Sequence, residues 1–175
     1  MSTITKKVCL LGDFNVGKTS LIRRFVDGEF SDRYLSTVGV KVSRRSVDIK
    51  TKSKRDYCVD LLLWDLEGNT KFKSITPTYL KGSSGSIIVA DLTRSNTLDS
   101  LKHHVELFLK VNPNAVVVIA LNKADLVPQE KLDKLIDNYR SQNLKQVAGF
   151  YQTSAKTGKN VALLFERLAA IAVSI

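Results

Sequence analysis

Eight consecutive residues, Gly12-Asp13-Phe14-Asn15-Val16-Gly17-Lys18-Thr19, place two glycines with four residues between them ahead of Lys and Thr. That spacing suits the binding of a polyphosphate. Glycines let the backbone curl with its N–H groups pointing inward, and a helix starting at the second glycine adds unpaired N–H groups and the positive end of its dipole. Lys18 would reach β- and γ-phosphate oxygens, and the Thr19 hydroxyl would hold a Mg²⁺ bridging them. The plain alternative is a glycine-bounded turn with a surface lysine and a helix-capping threonine.

The neighbours supply the strand and helix that such a loop needs. Val8-Cys9-Leu10-Leu11 reads as a buried strand feeding the loop, and Leu21, Ile22 and Phe25 form a helical face after it. Residues 26–39 follow as a long polar loop with glycines at Gly28 and Gly39. Loops of that length in a compact domain are usually functional or disordered, which makes this one a candidate mobile element. Residues 40–50 and 57–65 read as two strands joined by a charged turn around residues 51–55, and the second strand delivers Asp65 to its C-terminal end. Leu66-Glu67-Gly68-Asn69-Thr70 is a further loop, and 71–81 is weakly helical, with Phe72, Ile75 and Tyr79 in phase and Pro77 interrupting.

Gly85–Asp91 is a continuous apolar strand of the kind covered on both faces. Leu98, Leu101, Val105 and Phe108 then give a helical stripe carrying His103 and His104, both expected on the surface because no metal-ligating cluster accompanies them. A third buried strand, 115–121, ends in Asn122-Lys123-Ala124-Asp125. A helix follows from about Pro128 to Arg140, then a short strand at Phe150–Thr153, then a closing helix with Val161, Leu164, Phe165, Leu168, Ile171 and Ala172 inward. Strands alternating with helices mean an α/β fold with a mostly parallel sheet. In such sheets ligands bind beyond the carboxyl ends of the strands, where these loops converge. A carboxylate at Asp125 can accept two hydrogen bonds from guanine's ring N–H and exocyclic amine, a donor pair adenine lacks.

Length and composition bound the reading. A chain of 175 residues, 43% hydrophobic, supports one well-cored domain, taken to span 1–175. No apolar stretch approaches a membrane span and the first seven residues lack a signal-peptide core, so the expected location is cytoplasmic, with peripheral placement at a membrane left open. The two cysteines, Cys9 and Cys58, suggest buried free thiols rather than a disulfide framework. The sequence ends without a cysteine for prenylation, so either there is no lipid anchor or the sequence stops before one. Half of the net charge of +10 lies at 41–56, where seven cations face two carboxylates. Without interleaved aromatics it is no base-stacking platform, and no nucleic-acid partner is expected. It is either a solvated hairpin or a docking patch for an acidic partner or anionic lipid surface.

Five motifs in order, namely Gly12 to Thr19, Thr37-Val38-Gly39, Trp64-Asp65 with Gly68, Asn122-Lys123-Ala124-Asp125, and Ser154-Ala155-Lys156, resemble those of the Ras-superfamily small GTPases, most closely the Rab-like branch. The resemblance covers nearly the whole chain. It implies a P-loop NTPase three-layer fold with a six-stranded, mostly parallel sheet, one antiparallel edge strand and five helices. It implies a monomeric switch binding GTP or GDP with Mg²⁺, and protein effectors and regulators that contact residues 30–42 and 64–81. Nucleotide contacts would fall on Asp13, Phe14, Asn15, Val16, Gly17, Lys18, Thr19, Ser20, Phe30, Thr37, Gly68, Asn122, Lys123, Asp125, Ser154, Ala155 and Lys156. The metal would be held by Thr19, Thr37 and Asp65, the last through water, and the catalytic set would be Lys18, Thr37, Gly68 and Asn69. Mg²⁺ and γ-phosphate would order the loop around Thr37 and the segment 66–79.

Three departures from the family pattern bear on function. Asn69 stands where the family has a water-orienting Gln, with Glu67 two residues earlier in place of the usual Ala. Phe14 occupies a small-residue position near which an activating protein's Arg would enter. The Rab-like aromatic surface of Phe, Trp and Tyr is here Val42, Trp64 and Tyr79. Two readings remain open on these grounds, a switch with slow hydrolysis and a nucleotide-binding scaffold without useful hydrolysis. A kinase or ATPase reading would leave Asn122 to Asp125 and Lys156 idle.

Overall fold

In a computed structural model, which describes residues 2–33, 37–50, 56–66, 76–141, 144 and 146–174, six strands form one sheet in the order β2-β3-β1-β4-β5-β6. The strands are β1 (Ser2–Leu11), β2 (Val40–Lys50), β3 (Asp56–Leu66), β4 (Gly85–Asp91), β5 (Val116–Asn122) and β6 (Val147–Gln152). β2 runs antiparallel to β3 at one edge, and the remaining neighbours are parallel. The helices are α1 (Lys18–Asp27), α2 (Thr76–Leu80), α3 (Ser95–Asp99), α4 (Leu101–Val111), α5 (Gln129–Ser141) and α6 (Val161–Ser174). Ser100, between α3 and α4, keeps right-handed helical angles (φ −74°, ψ −13°), so the two form one interrupted helix and the described residues hold five helical bodies.

Two cores, one on each face of the sheet, follow from the period-two alternation of the strands. Val8, Leu10, Ile87, Val89, Val116, Val118 and Ala120 turn toward α1 and α6, where Phe25 stacks on Phe165 with ring centres 4.1 Å apart. Cys9, Leu11, Ile88, Ala90, Val117, Ile119 and Leu121 turn the other way, toward α2 to α5. All seven residues of β4 and all seven of β5 are buried, as continuous apolar strands between two helix layers should be.

Several boundaries differ from the sequence expectation. β1 begins at Ser2 rather than Val8, because the polar segment 2–7 pairs residue by residue with Tyr57 to Leu62 of β3 and needs no apolar run to do so. The helical stripe expected over 71–81 is described only at Thr76–Leu80, with Pro77 in the first turn, where its missing N–H costs nothing; residues 71–75 lie outside the described residues. Cys9 is buried and Cys58 half-buried, both free. Burial pushes the Cys9 thiol above its ordinary pKa, and its sulfur sits 3.1 Å from the Ser83 hydroxyl.

On the basic hairpin two arginines are engaged within the protein. Arg44 pairs with Asp60, which also accepts from Ser46. Arg45 donates to the Phe25 and Val26 carbonyls with its guanidinium 4.8 Å from the Phe25 ring centre. Lys41 and Lys50 are exposed; Lys52, Lys54 and Arg55 lie outside the described residues.

Candidate functional site

The loop after β1 has the curl its glycines predicted. Gly12 has φ +147° and a Cβ there would lie 2.2 Å from the Val89 carbonyl oxygen; Gly17 has φ +100° and a Cβ there would lie 2.3 Å from the Asn122 side-chain nitrogen. Neither position accepts a side chain. Gly17 caps α1, which has no side-chain cap and no acidic residue in its first turn, so the helix presents a bare positive end to the loop. Lys18 is buried beneath the loop, its ammonium donating to the Gly12 and Asp13 carbonyls at 2.9 and 2.8 Å.

Three oxygens meet where the sequence leads one to expect a metal. The Thr19 and Thr37 hydroxyls are 2.7 Å apart, Thr19 donates to Asp65 Oδ2 at 2.5 Å, and Thr37 reaches the same oxygen at 3.4 Å. Asp65 is 2% exposed, and its Oδ1 is buried without a hydrogen-bond partner. Burial pushes this carboxyl above its ordinary pKa, against the hydroxyls and the Lys18 charge. An orphaned carboxylate oxygen beside two hydroxyls is a hard-oxygen set that fits Mg²⁺. Among the described residues no group of three or more His, Cys, Asp or Glu could hold a metal, so any ion here would draw its other ligands from phosphate and water.

At the opposite end, Lys123 takes a left-handed conformation (φ +63°) that opens the short 3₁₀ turn Ala124–Leu126 carrying Asp125. Ser154 donates to Asp125 Oδ1 at 2.6 Å and so orients the carboxylate. Asn122 is buried, donating to the Val16 carbonyl at 2.9 Å and accepting from Thr153 and from the Ala155 N–H at 3.3 Å. The Ala155 N–H is thus turned to Asn122. Arg24 secures the same loop from α1 through the Ala155 and Lys156 carbonyls, at 2.7 and 2.5 Å.

Most of these pieces line one cavity of about 350 Å³; Asp65 is not on its wall and meets it through the Thr19 and Thr37 hydroxyls. Phe14, Asn15, Gly17, Lys18, Thr19, Ser20, Phe30, Thr37, Asn122, Lys123, Asp125, Ala155 and Lys156 reach it as expected. Val16 and Ser154 do not: both are fully buried, the first serving through its carbonyl and the second through Asp125. Asp13 does not line it either, its carboxylate being held on the α4 side. Gly68 and Asn69 lie outside the described residues. Arg23, Arg33, Leu66 and Leu126 also line the cavity, without a motif to announce them.

Three residues beside the loop were missed. Asp91, 1% exposed at the end of β4, pairs with Lys123 at 2.7 Å and Arg94 at 3.0 Å. A carboxylate ending a buried strand was the signal that singled out Asp65, and it applies equally here. Arg94 also donates to the Phe14 carbonyl at 2.8 Å. His104 corrects the surface placement expected for both histidines: His103 is exposed, but His104 Nε2 lies 2.8 Å from Asp13 Oδ1 with its side chain 17% exposed. Burial holds this imidazole below its ordinary pKa, and the Asp13 carboxylate only partly offsets that. Helical phase put His104 one step from the buried Val105, but nothing in the sequence pointed to Asp13 as its partner.

Comparison with known proteins agrees with this geometry. The model of the Ras family matches residues 7–173. The chain is 36% identical over 161 residues to the human Ras-related protein Rab-22A, covering 91% of this chain and 79% of that one. It is 36% identical over 170 residues to Rab-13 of Bos taurus (93% and 77%) and 34% identical over 169 residues to Rab5 of Nicotiana tabacum (96% and 81%). With the phosphate loop, the Asn-Lys-x-Asp turn and the sheet order all in place, the chain belongs to the Ras family of small GTPases, as a divergent member of its Rab-like branch.

Proposed function

We propose that this small GTPase is a switch that binds GTP or GDP with Mg²⁺ in the 350 Å³ cavity and hydrolyses GTP slowly by itself. The observation that carries the reading is that one cavity joins Lys18 and the bare end of α1 to Asp125 and Lys123. Lys18 and the helix end attract the phosphates, while the Asp125 carboxylate, oriented by Ser154, selects guanine by its two donors. Thr19, Thr37 and, through water, Asp65 would hold the ion, which would neutralise charge on the phosphate oxygens. Phosphoryl transfer needs little covalent chemistry from the protein, so rate depends on orienting water and on fixed charge. Asn69 has one methylene less than Gln with which to orient that water.

Nucleotide extraction from the purified protein, followed by a single-turnover GTP time course, tests binding and chemistry together. Bound guanine nucleotide with slow conversion is expected. Absence of guanine nucleotide, or turnover as fast as an activated GTPase, would overturn the reading. Phe14, 47% exposed at the lip of the cavity, favours the second reading, a scaffold that holds GTP without useful hydrolysis. A flat time course with GTP retained would select it.

Effectors and regulators would meet residues 30–42 and 64–81. Val42 pairs with Trp64 in register and Trp64 lies 6.1 Å from Tyr79, so the three residues form one patch in which a smaller side chain replaces an aromatic ring. Partners selective for the aromatic version are expected to bind weakly here. With Arg44 and Arg45 engaged internally, 41–56 is better read as a solvated hairpin, and the protein is expected to stay in solution when anionic vesicles are sedimented at physiological salt.

A further inference from the structure

Four consecutive residues of the phosphate loop are each held by a different side chain from elsewhere in the fold. Val16 and Asn15 are held through their carbonyls by Asn122 and Lys123, residues of the guanine-facing turn. Phe14 is held through its carbonyl by Arg94, at 2.8 Å, and Asp13 through its carboxylate by His104, at 2.8 Å. These last two belong to no nucleotide motif. Arg94 lies just before the α3–α4 helix and His104 within it, so one helical segment presents both.

We infer that His104 and Arg94 are positioning residues that brace the outer side of the phosphate loop and set how long a nucleotide stays bound. The inference rests on the proposal that guanine nucleotide binds in this loop. The physical need is specific. Asp13 places a negative charge in a loop that must attract an anion, and repulsion between like charges falls with distance. By donating from Nε2, His104 fixes that carboxylate on the α4 side, away from the cavity that Asp13 does not line. Arg94 does the corresponding work on the backbone. Its Nε is anchored on the buried Asp91 carboxylate at 3.0 Å while its Nη2 holds the Phe14 carbonyl, which keeps that carbonyl from turning its negative end toward the phosphates.

Release of a fluorescent GDP analogue from the loaded protein gives the test. His104→Leu and Arg94→Met are each expected to speed release about tenfold, the size of one charge-assisted hydrogen bond. His104→Gln, which keeps an N–H donor at similar reach, is expected to stay within about threefold of wild type. A ring that merely filled space would be served at least as well by Leu as by Gln. In an Asp13→Ala background, His104→Leu is expected to have no further effect, because the charge it restrains is gone.

Should His104→Leu fail to fold, His104→Asn, too short to reach Asp13, replaces it in the comparison with Gln. Release from the Leu or Asn variant at the wild-type rate would overturn the brace, as would a Gln variant as fast as Leu, or an undiminished Leu effect without Asp13. Wild type that retains GDP while all variants match it removes the brace and leaves the nucleotide proposal standing. Wild type that binds no guanine nucleotide removes both.

Discussion

Asp91 and Lys123 lie 2.7 Å apart at the ends of neighbouring parallel strands, where Asp91 stands in register with Asn122. The buried carboxylate takes Lys123 and Arg94 on Oδ2 and both the N–H and hydroxyl of Thr93 on Oδ1, at 2.9 and 2.6 Å. Burial alone would raise its pKa, but these donors, Lys123 foremost, hold it below the ordinary carboxylate value. It stays ionised, and both cations it anchors go on to phosphate-loop carbonyls.

Asp91→Asn is therefore expected to loosen two loop contacts at once. Stability should fall by about 2–3 kcal/mol, the range for hydrogen bonds to a charged group, and GDP release should quicken more than for Arg94→Met alone. Because the folded-state pKa is depressed, the wild-type contribution is present above the ordinary value of 3.8 and lost as pH falls below it. Urea titrations of both proteins at pH 7 check the stability difference. Equal midpoints would mean the carboxylate adds nothing.

Asp125→Asn should exchange guanine preference for xanthine, whose carbonyl replaces the exocyclic amine, with GTP affinity falling by about 100-fold or more. The variant keeps an oxygen to accept from Ser154, so the turn should survive. Competition of GTP and xanthosine triphosphate against a fluorescent guanine nucleotide decides it, and an unchanged preference would refute the role of Asp125.

Hydrolysis should accelerate in Asn69→Gln and, with an Arg-inserting activator present, further in Asn69→Gln combined with Phe14→Gly. An effect in the range of about 10- to 100-fold is expected if water orientation is the missing element. Single-turnover rates are the measurement. A wild type that matches both variants would show that another group positions the water.

His104 gives the protein an acid sensitivity of opposite sign to that of a salt-bridged histidine. Its folded-state pKa lies below the ordinary 6.5, so below that pH the unfolded chain binds a proton the folded chain resists, and stability declines. Asp13, His103 and Lys18 are the charged or titratable groups acting on it. Denaturant midpoints from about pH 8 to pH 5.5 should fall less steeply for His104→Gln than for wild type. Parallel curves would exclude His104 as the source.

Most of the fold was legible because periodicity and loop chemistry agreed. The apolar runs of β4 and β5, the stripe of α6 and the glycine curl before α1 each pointed to the element that forms. The polar half of β1 was not legible, since its residues are positioned by pairing with β3 rather than by burial. The site was legible wherever a motif concentrates its residues in a few positions, as at Lys18, Thr19 and Asp125. It was opaque where a contact joins distant segments: His104 and Asp13 are 91 residues apart, and Arg94 and Phe14 are 80. Helical phase can say that His104 sits near a buried face, but not which loop closes over it.

Every carbonyl oxygen from Gly12 to Val16 accepts a hydrogen bond from a side chain: Lys18 for the first two, then Arg94, Lys123 and Asn122. A short loop rich in oxygen acceptors would otherwise suit a bare cation as readily as a phosphate. Each of these carbonyls already has one lone pair engaged, which lowers the loop's capacity to coordinate a cation. The loop's own wiring thereby biases it toward anions, and each of the four clamping side chains adds to that bias.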